Sequence, residues 1–353
     1  MVIKKYSKFP NELVDETQIP VFCTTSYANF LIETKSKSVF WFAGFKNDIM
    51  VCIIPFSITK KIIFKKGMFL TSVVNIANSS EILEKEFLES VIDYIREEKL
   101  CDWIQQPPNW VLFRTVPSNS TYCEFGTYRI NLENNENELK NKMKRDHRQN
   151  IEHAINNNVI IKRGSVLLED CIKVFSVSTA GKCIYLPKKD EIEKLLDYLP
   201  DKIHIYVAYH NTIPQSSAIY FADNSYFYAV YSAMVTSAAK GINHLLHWQA
   251  MLDAKSIGIK YYDLVGARIE PPKGSKLEGI QNFKRHLGGE LVKGFLWKMP
   301  ISKTNYCLCC LLTKFISFAK LKYYRGDIID QELKRIKKME KNILTIYEFA
   351  VKS

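Results

Sequence analysis

The sequence predicts an α/β chain, two domains built on mixed sheets and followed by a basic helical tail. Three observations carry that reading. The chain has 353 residues, more than one core ordinarily spans, with 47% hydrophobic and 24% charged residues. Apolar runs of strand length alternate with helical patterns along most of it, the mark of mixed sheets rather than of bundles or sandwiches. Half of the net charge of +12 lies beyond residue 302, where helical periodicity continues without strand patterns.

The elements follow in order. A short helical pattern spans residues 27–34. Two apolar runs, 39–45 and 49–56, flank Lys46-Asn47-Asp48, a hairpin signal. Leu83, Phe87, Leu88, Val91, Ile92 and Ile95 fall on one helical face, and Asn78 with Glu81 three residues later marks the expected helix start. Residues 101–105 read as a buried strand. Leu139, Met143, Ile151 and Ile155 then share a helical face whose remainder is strongly basic. A strand at 159–162 precedes helical patterns at 168–178 and 190–198. Three strands follow, 204–209, 216–221 and 226–231, with turns at Asn211-Thr212 and Asp223-Asn224-Ser225. A helix over 242–256 ends at Gly258, and a strand at 261–264, a helix near 280–287 and a strand at 290–297 complete the series. Pro117-Ser118-Asn119-Ser120 is the turn-rich seam. The expected domains are 1–125, 126–301 and a tail over 302–353.

Composition excludes several classes. No apolar run reaches the ~20 residues of a spanning helix. Nine cysteines are scattered without framework spacing, and no apolar segment follows the N-terminal lysines. Reduced thiols and a cytoplasmic location are expected. A basic chain gathers polyanions such as RNA, phosphorylated substrates or an anionic bilayer; a solvated lysine-rich surface explains the charge alone equally well.

The order strand, two helices, three antiparallel strands, helix, strand, helix, strand is that of the GNAT acyltransferase fold, in which central strands splay to admit an acyl donor. Particular residues go further. His244-Leu-Leu-His-Trp248, Tyr261-Tyr-Asp-Leu-Val-Gly266 and Phe283-Lys-Arg-His-Leu-Gly-Gly289, with Arg148-Gln-Asn-Ile-Glu-His-Ala154 upstream, resemble the motifs of the FemABX aminoacyltransferases. The resemblance covers most of residues 126–300 and the first half in outline. It implies two tandem GNAT-like acyltransferase domains, here with no coiled-coil arm. It also implies transfer of an aminoacyl group from charged tRNA to an amine, usually on a peptidoglycan precursor, making tRNA and a nucleotide- or lipid-linked envelope precursor the expected partners.

Acyl transfer to an amine needs a neutral nucleophile, a stabilised carbonyl oxygen and a proton for the leaving group. No Ser-His-Asp or Cys-His spacing stands out, so direct attack by the acceptor is simpler than a covalent intermediate. A single donor at the carbonyl is worth ~3 kcal/mol. By its match to the family motif, Lys284 is the residue expected there. Asp263, where a strand runs into a glycine-bearing loop, serves either as a base for the amine or as a cap for that loop. Gly266 and Arg268 on the same loop are expected to bind substrate. Lys35, with Lys37 an equal candidate, resembles a phosphate-contacting lysine of the family. Arg148 suits a salt bridge or a phosphate or tRNA contact, and Tyr231 lines an acceptor groove or simply half-buries on its strand.

Acetyltransferases hold the coenzyme A pyrophosphate on backbone amides at Gln/Arg-x-x-Gly-x-Gly/Ala. The stretch here, Ala238-Ala-Lys-Gly-Ile-Asn243, keeps the central glycine but not the first and last positions. This favours aminoacyl-tRNA over acyl-CoA as co-substrate, with no cofactor and no metal. Leu308, Leu311, Leu312, Phe315, Ile316 and Ala319 share one side of a helix that either lies on an anionic membrane surface or packs on its own protein. Cys307, Cys309 and Cys310 lack a second ligand pair for zinc. The alternatives are a coenzyme A-dependent N-acyltransferase acting on an amino sugar or surface-polysaccharide precursor, and a non-catalytic relative that binds RNA or glycan.

Overall fold

The computed structural model describes residues 1–61, 63–77, 80–180, 185–319 and 326–338. The chain divides into two compact units. One gathers Met1–Lys5, Trp41–Glu124 and Gly294–Ser353; the other gathers Tyr6–Phe40 and Phe125–Lys293. Both are mixed α/β, as the sequence predicts, and among the described residues the longest helices run 17 residues. No helix there is long and apolar enough to cross a membrane.

In the first unit the strands lie in the order Val2–Tyr6, Lys37–Lys46, Ile49–Lys61, Phe64–Phe69, Trp103–Ile104 and Glu290–Pro300. The hairpin turn is Asn47-Asp48, both left-handed (φ 48° and 60°), the geometry that matches strand twist. The helix Glu81–Glu97 buries Phe87, Leu88, Val91, Ile92 and Ile95, each contributing about 1.5–3 kcal/mol. Its cap is the Ser80 hydroxyl, which accepts from the Leu83 amide at 3.2 Å; the expected cap, Asn78, lies outside the described residues. The strand expected at 101–105 shrinks to Trp103–Ile104.

The second unit orders its strands Thr121–Asn131, Tyr261–Asp263, Tyr226–Met234, Ile213–Ala222, Ile203–His210 and Ile160–Arg163. Its core includes Ile151 and Ala154 of one helix, Leu246, Ala250 and Met251 of another, and Tyr262 of the sheet. The basic stretch expected as one helical face is two helices, Glu136–Lys142 and Arg145–Asn156. Met143 is extended (ψ 143°), and the Lys144 amide donates to the His286 carbonyl at 2.9 Å. A tertiary hydrogen bond thus replaces the helical one, and Ile155 is exposed instead of sharing the buried face.

The contiguous boundaries 1–125, 126–301 and 302–353 are corrected by this division. Residues 6–40 belong with the second unit because Phe22 stacks on Phe221 at 5.4 Å and the Val21 amide donates to Asp223. The tail belongs with the first unit. There Asn305 donates to Asp102 at 2.6 Å, and Lys298 pairs with Asp327 and Asp330 at 2.8 and 2.6 Å. Such contacts join segments far apart in sequence and leave no trace in local periodicity.

Candidate acyl-transfer site

The second unit's sheet parts at one place. Tyr226–Met234 runs parallel to Tyr261–Asp263 for three residues, ending at Tyr228 opposite Asp263. The first strand continues to Met234, whereas the second ends there. Two features cause this. Val265 and Gly266 are both left-handed (φ 30° and 64°), a bend that interrupts the strand before Ala267 and Arg268 pair again with Gly126 and Phe125, and that a β-branched residue holds only at a cost. On the other side, Ile219 pairs with Tyr231 and Tyr220 with Ala229, so Val230 is the extra residue of a bulge, which adds twist.

Asp263 is buried at the parting. One carboxylate oxygen accepts from Thr127 at 2.5 Å and from the Val265 amide at 2.9 Å; the other accepts from Arg129 at 2.8 Å. Its contact with the Val265 amide is that of a cap on the loop that follows. The loop carbonyls turn to Lys284, whose Nζ donates to Val265 and, at 2.6 Å, to Gly266. Lys284 sits in the last turn of Lys276–His286, where the helix dipole favours a cation. Burial pushes its ammonium down to about 8, with Asp263 opposing.

Behind Lys284 lies a group that sequence reading missed. Phe283 is ringed by His147, His244 and His247 at 5.4, 5.2 and 5.5 Å between centroids, and His147 stands 4.4 Å from His244 and 5.5 Å from His286. His247 Nδ1 meets the Tyr262 hydroxyl at 2.5 Å. The Nδ1 atoms of His147 and His244 have no hydrogen-bond partner among the described residues. Burial, with the neighbouring imidazoles, lowers His147 to about 4, and burial lowers His244 to about 4. Four rings from three helices converge here, and only folding reveals it.

These imidazoles stay neutral in the folded chain, while the unfolded chain takes up protons below about 6.5. Stability is therefore level above that pH and falls as pH drops toward about 4. At pH 5 the loss is on the order of 1 kcal/mol for each of His147 and His244, allowing for solvent screening. Thermal unfolding between pH 7.5 and 5 should show the fall, and a His147→Asn, His244→Asn double variant should make it shallower. An unchanged slope in that variant contradicts the assignment.

Lys35 and Tyr231 both neighbour Glu191 and Tyr185 in a second group. The Lys35 Nζ donates to Glu191 at 2.7 Å and to Tyr185 at 3.2 Å, and Tyr185 donates to Glu191. Burial, then Glu191 and Tyr185, raises the Tyr231 phenol. Lys35, Tyr185, Lys188 and Glu191 line a cavity of about 800 Å³. Tyr185 and Glu191 stand 150 and 156 residues from Lys35 and gave no signal in sequence. Arg148 lies apart, donating to the Met143 and Lys140 carbonyls at 2.5 and 3.2 Å, so it caps the short helix before it. Arg268 follows the loop on a two-residue strand, opposite Phe125.

Three amides of the loop before Ile242–Ser256 are taken up within the chain. The Ala238 amide donates to Val235 at 3.2 Å, that of Ala239 to the Gln215 side chain at 2.7 Å and that of Ile242 to Ala239 at 3.2 Å. Gly241, at φ 82°, passes so near Asn150 that a Cβ would lie 1.9 Å from its carbonyl oxygen.

Residues 141–285 match the acetyltransferase (GNAT) domain family, and the parted mixed sheet is that fold. Among solved structures the chain is similar to FemX, with a TM-score of 0.64 at 13% identity, over 82% of this chain and 94% of that one. It is similar also to the C-terminal domain of a putative lysylphosphatidylglycerol synthetase from Agrobacterium fabrum (TM-score 0.51, 11% identity, 80% and 89% covered). A tandem GNAT protein from the clavulanic acid biosynthesis pathway is similar as well (TM-score 0.50, 7% identity, 85% and 99% covered). At such identities the likeness is one of fold. No curated protein sequence matches the chain.

Proposed function

We propose that the chain moves an aminoacyl group from aminoacyl-tRNA onto an amine of a cell-envelope precursor by direct attack. The observation that carries this reading is Lys284, a half-buried lysine whose ammonium is anchored on two loop carbonyls where the strands part. An ammonium has three protons. Two serve the loop, and the third is the donor for an ester carbonyl as it gains negative charge. The acceptor amine attacks that carbon, the ester C–O bond breaks, and the proton lost by the amine passes to the leaving ribose oxygen. Asp263 acts as a positioning residue, because its lone pairs hold Thr127, Arg129 and the loop.

Two further observations support the donor. The amides of Ala238, Ala239 and Ile242 are occupied from within the protein, which leaves them poorly disposed toward a coenzyme A pyrophosphate. The net charge of +12 suits a polyanionic co-substrate. The acceptor class draws on the fold shared with the C-terminal domain of a putative lysylphosphatidylglycerol synthetase, an enzyme named for an amino acid joined to a lipid. Lys35, beside Glu191 in the 800 Å³ cavity, and Tyr231, whose phenol feels Glu191 and Tyr185, are the residues proposed to meet the acceptor.

Transfer to an amine-bearing envelope precursor should occur with a mixture of charged tRNAs, stop on prior RNase treatment and not recover with acetyl-CoA. Transfer that survives RNase and follows added acyl-CoA would establish the coenzyme A-dependent N-acyltransferase instead.

A further inference from the structure

Among the described residues, the helix Lys303–Ala319 is held to its unit by one side. Tyr306 packs on Trp103 at 5.9 Å between ring centroids, and Asn305 donates to Asp102 at 2.6 Å. Its opposite side carries Leu308, Leu311, Leu312 and Phe315, exposed by 44%, 64%, 44% and 71%. Their spacing of three, four and seven residues sets them in one stripe along the helix. Other large apolar side chains with comparable exposure, such as Ile82 and Val166, stand outside any such stripe. Contiguous apolar surface of this kind marks an interaction face.

Charge selects what covers it. From residue 303 to 325 the sequence has five basic residues, Lys303, Lys314, Lys320, Lys322 and Arg325, and no acidic one. Lys303 and Lys314 are exposed on the same helix. A second copy of this helix would bring like charges together across the contact, which disfavours self-pairing. An anionic bilayer satisfies both demands, since apolar side chains enter the boundary between headgroups and acyl chains while lysines meet lipid phosphates. We propose that this helix is an interfacial anchor that lays the protein on an anionic lipid surface. The inference stands apart from the acyl-transfer reading, because it concerns a different face and is read without activity.

The test is co-sedimentation of the full chain with vesicles of phosphatidylcholine alone or mixed with phosphatidylglycerol. Binding is expected to the mixed vesicles and to weaken as salt rises. A Leu311→Glu, Phe315→Glu variant, altered only at exposed positions, should keep its unfolding temperature and bind about tenfold or more weakly. Equal binding to both vesicle types, or undiminished binding by the variant, overturns the proposal. So does absence of vesicle binding with a dimer on gel filtration that the variant abolishes, which would assign the stripe to a second copy.

Discussion

Replacing Lys284 with methionine is expected to lower the rate of acyl transfer by about 10²–10³-fold, the loss that follows removal of one donor to a developing oxyanion. The fold should survive. Methionine keeps most of the apolar stem, and the substitution takes a desolvated charge out of the interior. Unfolding temperature near the wild-type value would separate a chemical loss from a structural one. The pH dependence gives an independent readout. Burial holds the Lys284 ammonium at about 8, so the charged form is present below that pH and is lost as pH rises through it. The wild-type rate should therefore fall on the alkaline side near pH 8, and the residual rate of Lys284→Met should lack that limb. An alkaline limb that persists in the variant would assign it to another group.

Gly241→Ala should be the most damaging single-methyl change near the site. The position has φ 82°, and the added Cβ would sit 1.9 Å from the Asn150 carbonyl oxygen and 3.3 Å from the Ala154 Cβ. Neither neighbour is the free end of a flexible side chain. Backbone strain costs about 1–2 kcal/mol and the forced separation of two helices roughly another 1–3. Gly258→Ala provides the matched control, with φ 83° and nothing within 4 Å of the added carbon. Urea unfolding should show Gly258→Ala less stable by only about 1–2 kcal/mol, and Gly241→Ala by clearly more. Equal losses would mean that the helix contact yields freely.

Long periodic elements of this chain were legible in its sequence. Ile242–Ser256 falls where the apolar pattern placed it, and the hairpin across Asn47-Asp48 follows from turn chemistry. Lys284 was singled out through a motif, because one lysine on a basic helix has no local mark of its loop contacts. What stayed hidden was built from distant segments. The role of Asp263 depends on Thr127 and Arg129, 136 and 134 residues away. The ring of imidazoles about Phe283 needs three helices to meet, and Glu191 gains its partner Lys35 only through folding. The break at Met143 has no proline or glycine to announce it, since a carbonyl from His286 receives the next amide.

The most direct measurement is the mass of an amine-bearing envelope precursor after incubation with the purified protein and a mixture of charged tRNAs. The account predicts an increase equal to one amino-acid residue, present with the wild type and absent or greatly reduced with Lys284→Met. An acyl increment appearing only when acyl-CoA is supplied, or an aminoacyl increment undiminished in Lys284→Met, would contradict it.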